Sequence, residues 1–263
     1  MSISNHVLKH GITLGTAKVI SNDILPKGAS IPGRILNSIG SITIHNTGLV
    51  DVKANNFHRS LKRENALKNG RQASWTFSVD DTEIYQETKI NWETWHAGKA
   101  VGNKNSISIE ICMWSDKEKQ RKSYENTAIL VAMLLKTYGL KISDIKQHYN
   151  WSGKNCPIFL RQNKYGYDWN WFISRVQYHL TAKDNTTSNE YKVGELQKDV
   201  IITADTLNVR SGRGAEFNKI GSFKKNQKVT VWYIGKAKDG SLWGSCSCDN
   251  KTGYIHMGYT KQA

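Results

Sequence analysis

Two stretches of the chain alternate apolar and polar residues at the two-residue period of a β-strand. They are Ser41-Ile42-Thr43-Ile44 and Ser106 to Met113. In the second, Ile107, Ile109, Ile111 and Met113 take one side, and Ser108, Glu110 and Cys112 the other. Ser74 to Val79 and Glu83 to Gln86 fit a hairpin turning at Asp80-Asp81. The period becomes helical from Glu125 to Tyr138: Ile129, Leu130, Met133, Leu134 and Tyr138 share a face, and Gly139 stands where a left-handed cap would close the helix. Asp168 is placed to cap a second helix, with Trp169, Phe172, Ile173, Val176 and Leu180 on one face. Strands interleaved with helices predict an α/β domain, a mixed β-sheet flanked by helices.

The texture changes at Thr181 to Lys192, a polar stretch without periodicity. Beyond it come short strand candidates around Ile201-Ile202, Lys228 to Tyr233, Ser241 to Ser247 and Gly253 to His256. Turn residues Ser211-Gly212-Arg213-Gly214, Asp239-Gly240 and Asp249-Asn250 separate them, the pattern of a small all-β barrel. The predicted layout is a first domain over 1–181, a linker over 182–196 and a second domain over 197–263.

Composition allows this layout, since 263 residues at 38% hydrophobic can fill two cores. The opening MSISNHVLKHGITLGTAKVI lacks the order of a secretory signal, and no run approaches the roughly 20 apolar residues of a membrane span. The expectation is synthesis in the cytoplasm without membrane insertion, and a monomer. Four cysteines, at 112, 156, 246 and 248, are too few and too unevenly placed for a disulfide framework, so a cysteine with a role is a ligand or nucleophile. A net charge of +15 points to a polyanionic partner. It is spread over both halves with no base-reading element, which argues against nucleic acid and leaves an anionic surface or a wall polymer.

His45, at the end of the strand SITIH, His148 in IKQHYNW and Cys156 in GKNCP are good zinc ligands at the ends of predicted elements. Two imidazoles and a thiolate with one position open for water is the donor set of a catalytic zinc. Among eight histidines, spacing alone leaves ordinary surface or hydrogen-bonding roles open. Glu110 is a carboxylate in mid-strand opposite an apolar face, which fits either a sheet edge in water or the lining of a cleft.

The words ITIHNTG, SWTFSVDDTEIYQ, WHAG, SISIEIC and HYNWSGKNCP, in that order, resemble the motif series of the zinc amidase family that includes phage lysozyme-like amidases and peptidoglycan recognition proteins. The resemblance implies that family's fold and one catalytic Zn2+ held by His45, His148 and Cys156. It places Lys154 on the family's catalytic lysine, near the developing oxyanion, and Glu110 on its catalytic glutamate as general base. It implies substrate contacts for Asn46, Thr47 and His96, and Trp75 and Trp95 are candidates for stacking on sugar or peptide. The sequence departs from the family at Ser74-Trp75-Thr76-Phe77, where relatives commonly read SWHF; neither Trp75 nor Thr76 can act as a base, so proton transfer falls to Glu110. Cys246 and Cys248 share a strand face, but a second metal site would need two more ligands and only His256 lies nearby. Asp205-Thr206-Leu207-Asn208-Val209-Arg210-Ser211-Gly212, with Lys228 to Val231, Trp243 and Gly253-Tyr254-Ile255, resembles the bacterial SH3 family, whose members often bind cell walls.

The expectation is therefore an N-acetylmuramoyl-L-alanine amidase, zinc-dependent, cutting peptidoglycan between N-acetylmuramic acid and the L-alanine of the stem peptide. It would act as a phage or prophage endolysin that reaches the wall after release by another protein. The alternatives are a host autolysin and a non-catalytic peptidoglycan-binding protein; relatives of the latter kind typically lack the cysteine that stands here at 156.

Overall fold

In a computed structural model, residues 3–181, 191, 193–194, 196–249 and 251–263 are described. The chain divides into two compact units, Met1–Lys183 and Asp184–Ala263. The expected linker, 182–196, lies mostly outside the described residues.

In the first unit β1 (Ile3–Ser4) and β2 (Val7–Leu8) form a small hairpin. Seven further strands make the sheet: β3 (Thr13–Leu14), β4 (Ala17–Ile20), β5 (Ser41–Val50), β6 (Phe77–Val79), β7 (Glu83–Gln86), β8 (Ser106–Met113) and β9 (Ile145–Gln147). They pair in the order β3-β4-β7-β6-β8-β5-β9. The central neighbours β6, β8, β5 and β9 run parallel, while β7 meets β6 antiparallel, so the sheet is mixed. The helices are α1 (Ala54–Ala66), α2 (Ala100–Asn105), α3 (Lys117–Tyr138), α4 (Tyr149–Ser152), α5 (Ile158–Arg161) and α6 (Trp169–Thr181).

The alternation along β5 and β8 sorts the two faces. Ile42, Ile44, Ile107, Ile109 and Ile111 are buried on one face with Phe77, Val79 and Ile84, under Leu130, Val131, Leu134 and Leu135 of α3 and Phe172 and Val176 of α6. The opposite face carries Thr43, His45, Ser106, Ser108 and Glu110, and α1 covers part of that side with Phe57, which packs near Tyr85, Cys112 and Trp114. The C-terminal signal of the long helix holds, and its N-terminus does not lie where the period placed it. Gly139 adopts φ 67° and ψ 27° at its end. Its start lies eight residues earlier than the apolar period predicts, because Asp116 caps it: Oδ1 accepts from Glu118 N at 2.8 Å and Lys119 N at 2.9 Å. Asp168 caps α6 by accepting from Trp171 N at 2.7 Å. Asp80 organises the hairpin turn, accepting from Thr82 N and Glu83 N at 2.7 and 2.6 Å, and its other oxygen ties down α1 through Ala54 N at 3.0 Å.

The second unit is all-β, consistent with the expected SH3-like domain. Its strands are β10 (Leu196–Ile202), β11 (Thr206–Arg210), β12 (Lys219–Lys224), β13 (Lys228–Lys236), β14 (Leu242–Cys248), β15 (Lys251–His256) and β16 (Thr260–Gln262), paired in the order β12-β11-β15-β14-β13-β10-β16. Its core holds Val200, Ile202, Val209, Val231, Ile234 and Ile255, with Cys246 and Cys248 as apolar packing groups. Among the described residues, no helix is long and apolar enough to cross a membrane.

Candidate active site

Strand register brings the chemistry together. His45 on β5 pairs directly with Glu110 on β8, and Glu110 with Ser78 on β6, so these three positions form a row across the polar face. Strand β9 is hydrogen-bonded to β5 on its other side, and His148 follows it, its N–H donating to Ile44 O at 3.3 Å. Cys156 returns beneath the same spot, where its Sγ accepts from Asn46 N at 3.4 Å. His45 Nδ1 lies 3.0 Å from His148 Nδ1 and 3.9 Å from Cys156 Sγ. All three ligand atoms are buried and within 4.8 Å of one another, the one such metal-sized group among the described residues.

The donor set fits zinc on its own chemistry. Metal–nitrogen bonds of about 2.0 Å and metal–sulfur bonds of about 2.3 Å need donors this close together, aimed inward and with their other nitrogens engaged. A chain of hydrogen bonds supplies that engagement and sets its direction. The Trp151 indole N–H can only donate, and it donates to Thr43 Oγ1 at 2.9 Å; Thr43 in turn donates to Ser106 Oγ at 2.9 Å. Ser106 donates to Gly102 O at 2.8 Å, which leaves its lone pair for the N–H of His96 Nε2 at 3.1 Å. His96 Nδ1 must then accept from His45 Nε2 at 2.9 Å, so His45 Nδ1 keeps a free lone pair facing His148 and Cys156. The Ala97 backbone similarly bonds His148.

Electrostatics follow from burial. His45 is held well below the ordinary histidine range by desolvation and by His96 and His148, and His96 is pushed down to about 3 by the same burial and by His148. Both imidazoles are therefore neutral, as metal ligation by His45 would require. Burial pushes the Cys156 thiol up to about 12, with the Glu110 charge adding to the rise. Glu110 is pushed up to about 8 by desolvation, against the opposing charges of Lys154 and Arg71. Its Oε1 sits 3.9 Å from His45 Nδ1, and its buried Oε2 meets no hydrogen-bond partner among the described residues. A buried carboxylate oxygen without a protein partner beside an inward-facing donor triad is placed to act on something bound there. Lys154 is exposed, and its charge reaches His45, Glu110, His148 and Cys156 alike.

The candidates for substrate contact separate into two groups. Asn46 and His96 have partners within the protein. The Asn46 amide donates to Ile111 O at 3.3 Å and accepts from Phe159 N at 3.0 Å, and the His96 ring spans from His45 to Ser106. Thr47, Trp75 and Trp95 remain partly exposed. Trp75 is fixed by its indole N–H, which donates to Ser78 Oγ at 2.7 Å; Ser78 donates to the buried Glu87 at 2.7 Å. Sequence reasoning missed the supporting chain of Thr43, Ser106 and Trp151, although the run of hydroxyls alternating with isoleucine on both strands was its signal. Arg71 had no signal at all, because only the folded loop brings its charge near Glu110.

Comparison with known proteins places this arrangement. Residues 36–159 match the N-acetylmuramoyl-L-alanine amidase family. The chain is 37% identical over 142 residues to the N-acetylmuramoyl-L-alanine amidase XlyA of Bacillus subtilis, covering 52% of this chain and 46% of that protein. It is 32% identical over 173 residues to the amidase CwlH of the same organism, covering 64% and 62%. The chain thus spans about half to three-fifths of the length of these curated relatives. Among solved structures, the catalytic domain of XlyA superposes with a TM-score of 0.53 at 33% identity, covering 61% of this chain and 99% of that domain. A mutant endolysin from Bacillus subtilis gives 0.52 at 32% identity with the same coverage.

Proposed function

The chain belongs to the N-acetylmuramoyl-L-alanine amidase family, and from that premise we propose that its first unit hydrolyses the amide between N-acetylmuramic acid and L-alanine in bacterial peptidoglycan. The observation that carries the reading is the convergence of His45, His148 and Cys156 with the unpartnered carboxylate oxygen of Glu110 beside them. His45 Nδ1, His148 Nδ1 and Cys156 Sγ would hold one zinc. When bound, zinc supplies Lewis-acid polarisation and lowers the pKa of water.

The chain's own groups do the rest. Glu110 takes the proton of the attacking water and passes it to the departing L-alanine nitrogen, which needs a proton to leave as an amine. Its place in register with His45 keeps it within reach of both. Lys154 puts a positive charge beside the carbonyl oxygen as negative charge develops there. Asn46 and His96 act by holding Cys156 and His45, whereas Thr47, Trp75 and Trp95 offer the hydroxyl and ring faces that meet sugar or peptide. The second unit binds the wall and brings the first to it. Relatives described as amidases and as an endolysin support a lytic role, and we assign that role to a phage or prophage lysin.

Metal analysis tests this directly. The purified protein should contain about one zinc per chain, chelation should abolish lysis of walls, and added zinc should restore it. Full activity in thoroughly metal-free protein would end the zinc mechanism.

A further inference from the structure

The second unit carries a feature that wall binding in general does not require. Along β13, Val229 and Val231 face the core, but the next core residue is Ile234, so the alternation slips by one at Trp232-Tyr233. The slip turns Tyr233 outward, in register with Ser245 on β14, which is in register with Tyr254 on β15. The adjoining row on this outer face is Gly235, Trp243 and His256. Arg213, from the turn after β11, lays its guanidinium over these rows, 5.1 Å from the Tyr233 ring centre and 5.6 Å from that of Tyr254.

Two observations set this arginine apart from one packing on a convenient aromatic. First, room is made for it. A Cβ on Gly235 would come within 2.6 Å of Arg213 Nη1 and 2.9 Å of Nε, and the glycine is not required by a positive φ. Second, its Nε is buried with no acceptor among the described residues. A buried guanidinium donor left without an acceptor carries an uncompensated desolvation cost, which an incoming acceptor removes. Two aromatic faces hold the planar fork, fixing the direction of its donors before any ligand arrives.

We infer that Arg213, held between Tyr233 and Tyr254 over Gly235, is a binding site for an oxyanion, either a phosphodiester or a carboxylate. The fork geometry of guanidinium suits both groups through paired, charge-assisted hydrogen bonds. The site rests on the wall-binding reading only for the source of that anion: a phosphodiester polymer of the wall, or a free carboxylate of its peptides.

The full-length protein provides the test. In an arginine Nε–H NMR spectrum, with Arg213 assigned by its loss in Arg213→Lys, the Arg213 resonance should move saturably with inorganic phosphate. It should stay still with chloride at equal ionic strength. In wall sedimentation, Arg213→Lys and Arg213→Ala should bind about tenfold more weakly, since lysine cannot form the paired contact. Lys251→Ala, an exposed charge elsewhere on the unit, should change binding by no more than about twofold. Loss confined to walls that carry phosphodiester polymers assigns the phosphodiester. Equal loss on walls stripped of them assigns the carboxylate, and either supports the site. A resonance unmoved by phosphate, with Arg213→Lys binding both walls like the parent, overturns it. Equal wall binding with and without residues 184–263 would instead overturn wall targeting, while the phosphate titration still decides the oxyanion site.

Discussion

Glu110 and His45 sit side by side because one is in register with the other across β8 and β5, and variants at the proposed metal site should separate the roles of the residues around it. Glu110→Gln keeps size and most hydrogen bonding but removes the proposed base, so turnover should fall by about 10²–10⁴-fold with zinc content unchanged. Cys156→Ser should lose zinc as well as turnover, because it removes a donor. Lys154→Ala should resemble the Glu110 variant, with the metal retained. His96 supplies no metal donor itself but fixes the tautomer of His45, so His96→Ala should weaken zinc affinity by about 10–100-fold. Measuring zinc content and turnover together checks all four; a Glu110→Gln enzyme with zinc and near-parental turnover would make Glu110 structural.

The same residues fix the sign of the pH dependence. In the metal-free protein the Cys156 thiol, pushed up to about 12, is protonated at pH 7, whereas His45 and His148 are already neutral. Zinc uptake must therefore release about one proton from Cys156, plus a further fraction if Glu110, pushed up to about 8, ionises beside the metal. Affinity should rise with pH, and calorimetry in buffers of different ionisation enthalpy should count the protons, with fewer in Glu110→Gln. For stability, the raised Glu110 means that the folded metal-free protein keeps a proton the unfolded chain has already lost. Its contribution therefore falls as pH rises from the ordinary value of 4.5 towards about 8.

At the scale of elements, capping decides where α3 begins. Asp116→Ala removes the side-chain acceptor for two backbone N–H groups and should lower stability by about 1 kcal/mol, read by urea unfolding, with turnover unaffected. That cap also shows what was legible in the sequence. The strand period read β8 to its bounds and gave both faces of the sheet, because alternation with isoleucine is a packing signal in its own right. The first two turns of α3, Lys117 to Tyr124, carry few apolar residues, so periodicity placed the helix start too late. Helix α1 went unread since Lys53 gives it no side-chain cap, and its buried residues Phe57, His58, Leu61 and Asn65 mix polar with apolar. In β13 a one-residue slip ended the alternation at Tyr233, although the strand runs on to Lys236. Within the site, the candidate ligands were readable as chemical types, but the chain from Trp151 through Thr43 and Ser106 to His96 joins four separate segments. The alternating hydroxyls mark Thr43 and Ser106 as inward-facing polar groups, but no local pattern encodes their connection to Trp151 and His96.

At the scale of the whole molecule, the two units have separate cores, and each has its own proposed task. A chain ending at Lys183 should keep hydrolysis of soluble wall fragments yet bind intact walls at least about tenfold more weakly, since tethering to a wall raises the effective concentration of substrate. Sedimentation with purified walls measures this, and equal binding would refute a targeting role for the second unit. Mass spectrometry of purified peptidoglycan after digestion reads directly which bond is cut. The proposed amidase activity leaves intact glycan strands whose muramic acid lactyl carboxyls are free, together with stem peptides that begin at an unblocked L-alanine amine. Stem peptides still joined to muramic acid, with breaks in the glycan or the cross-bridges instead, would contradict that activity.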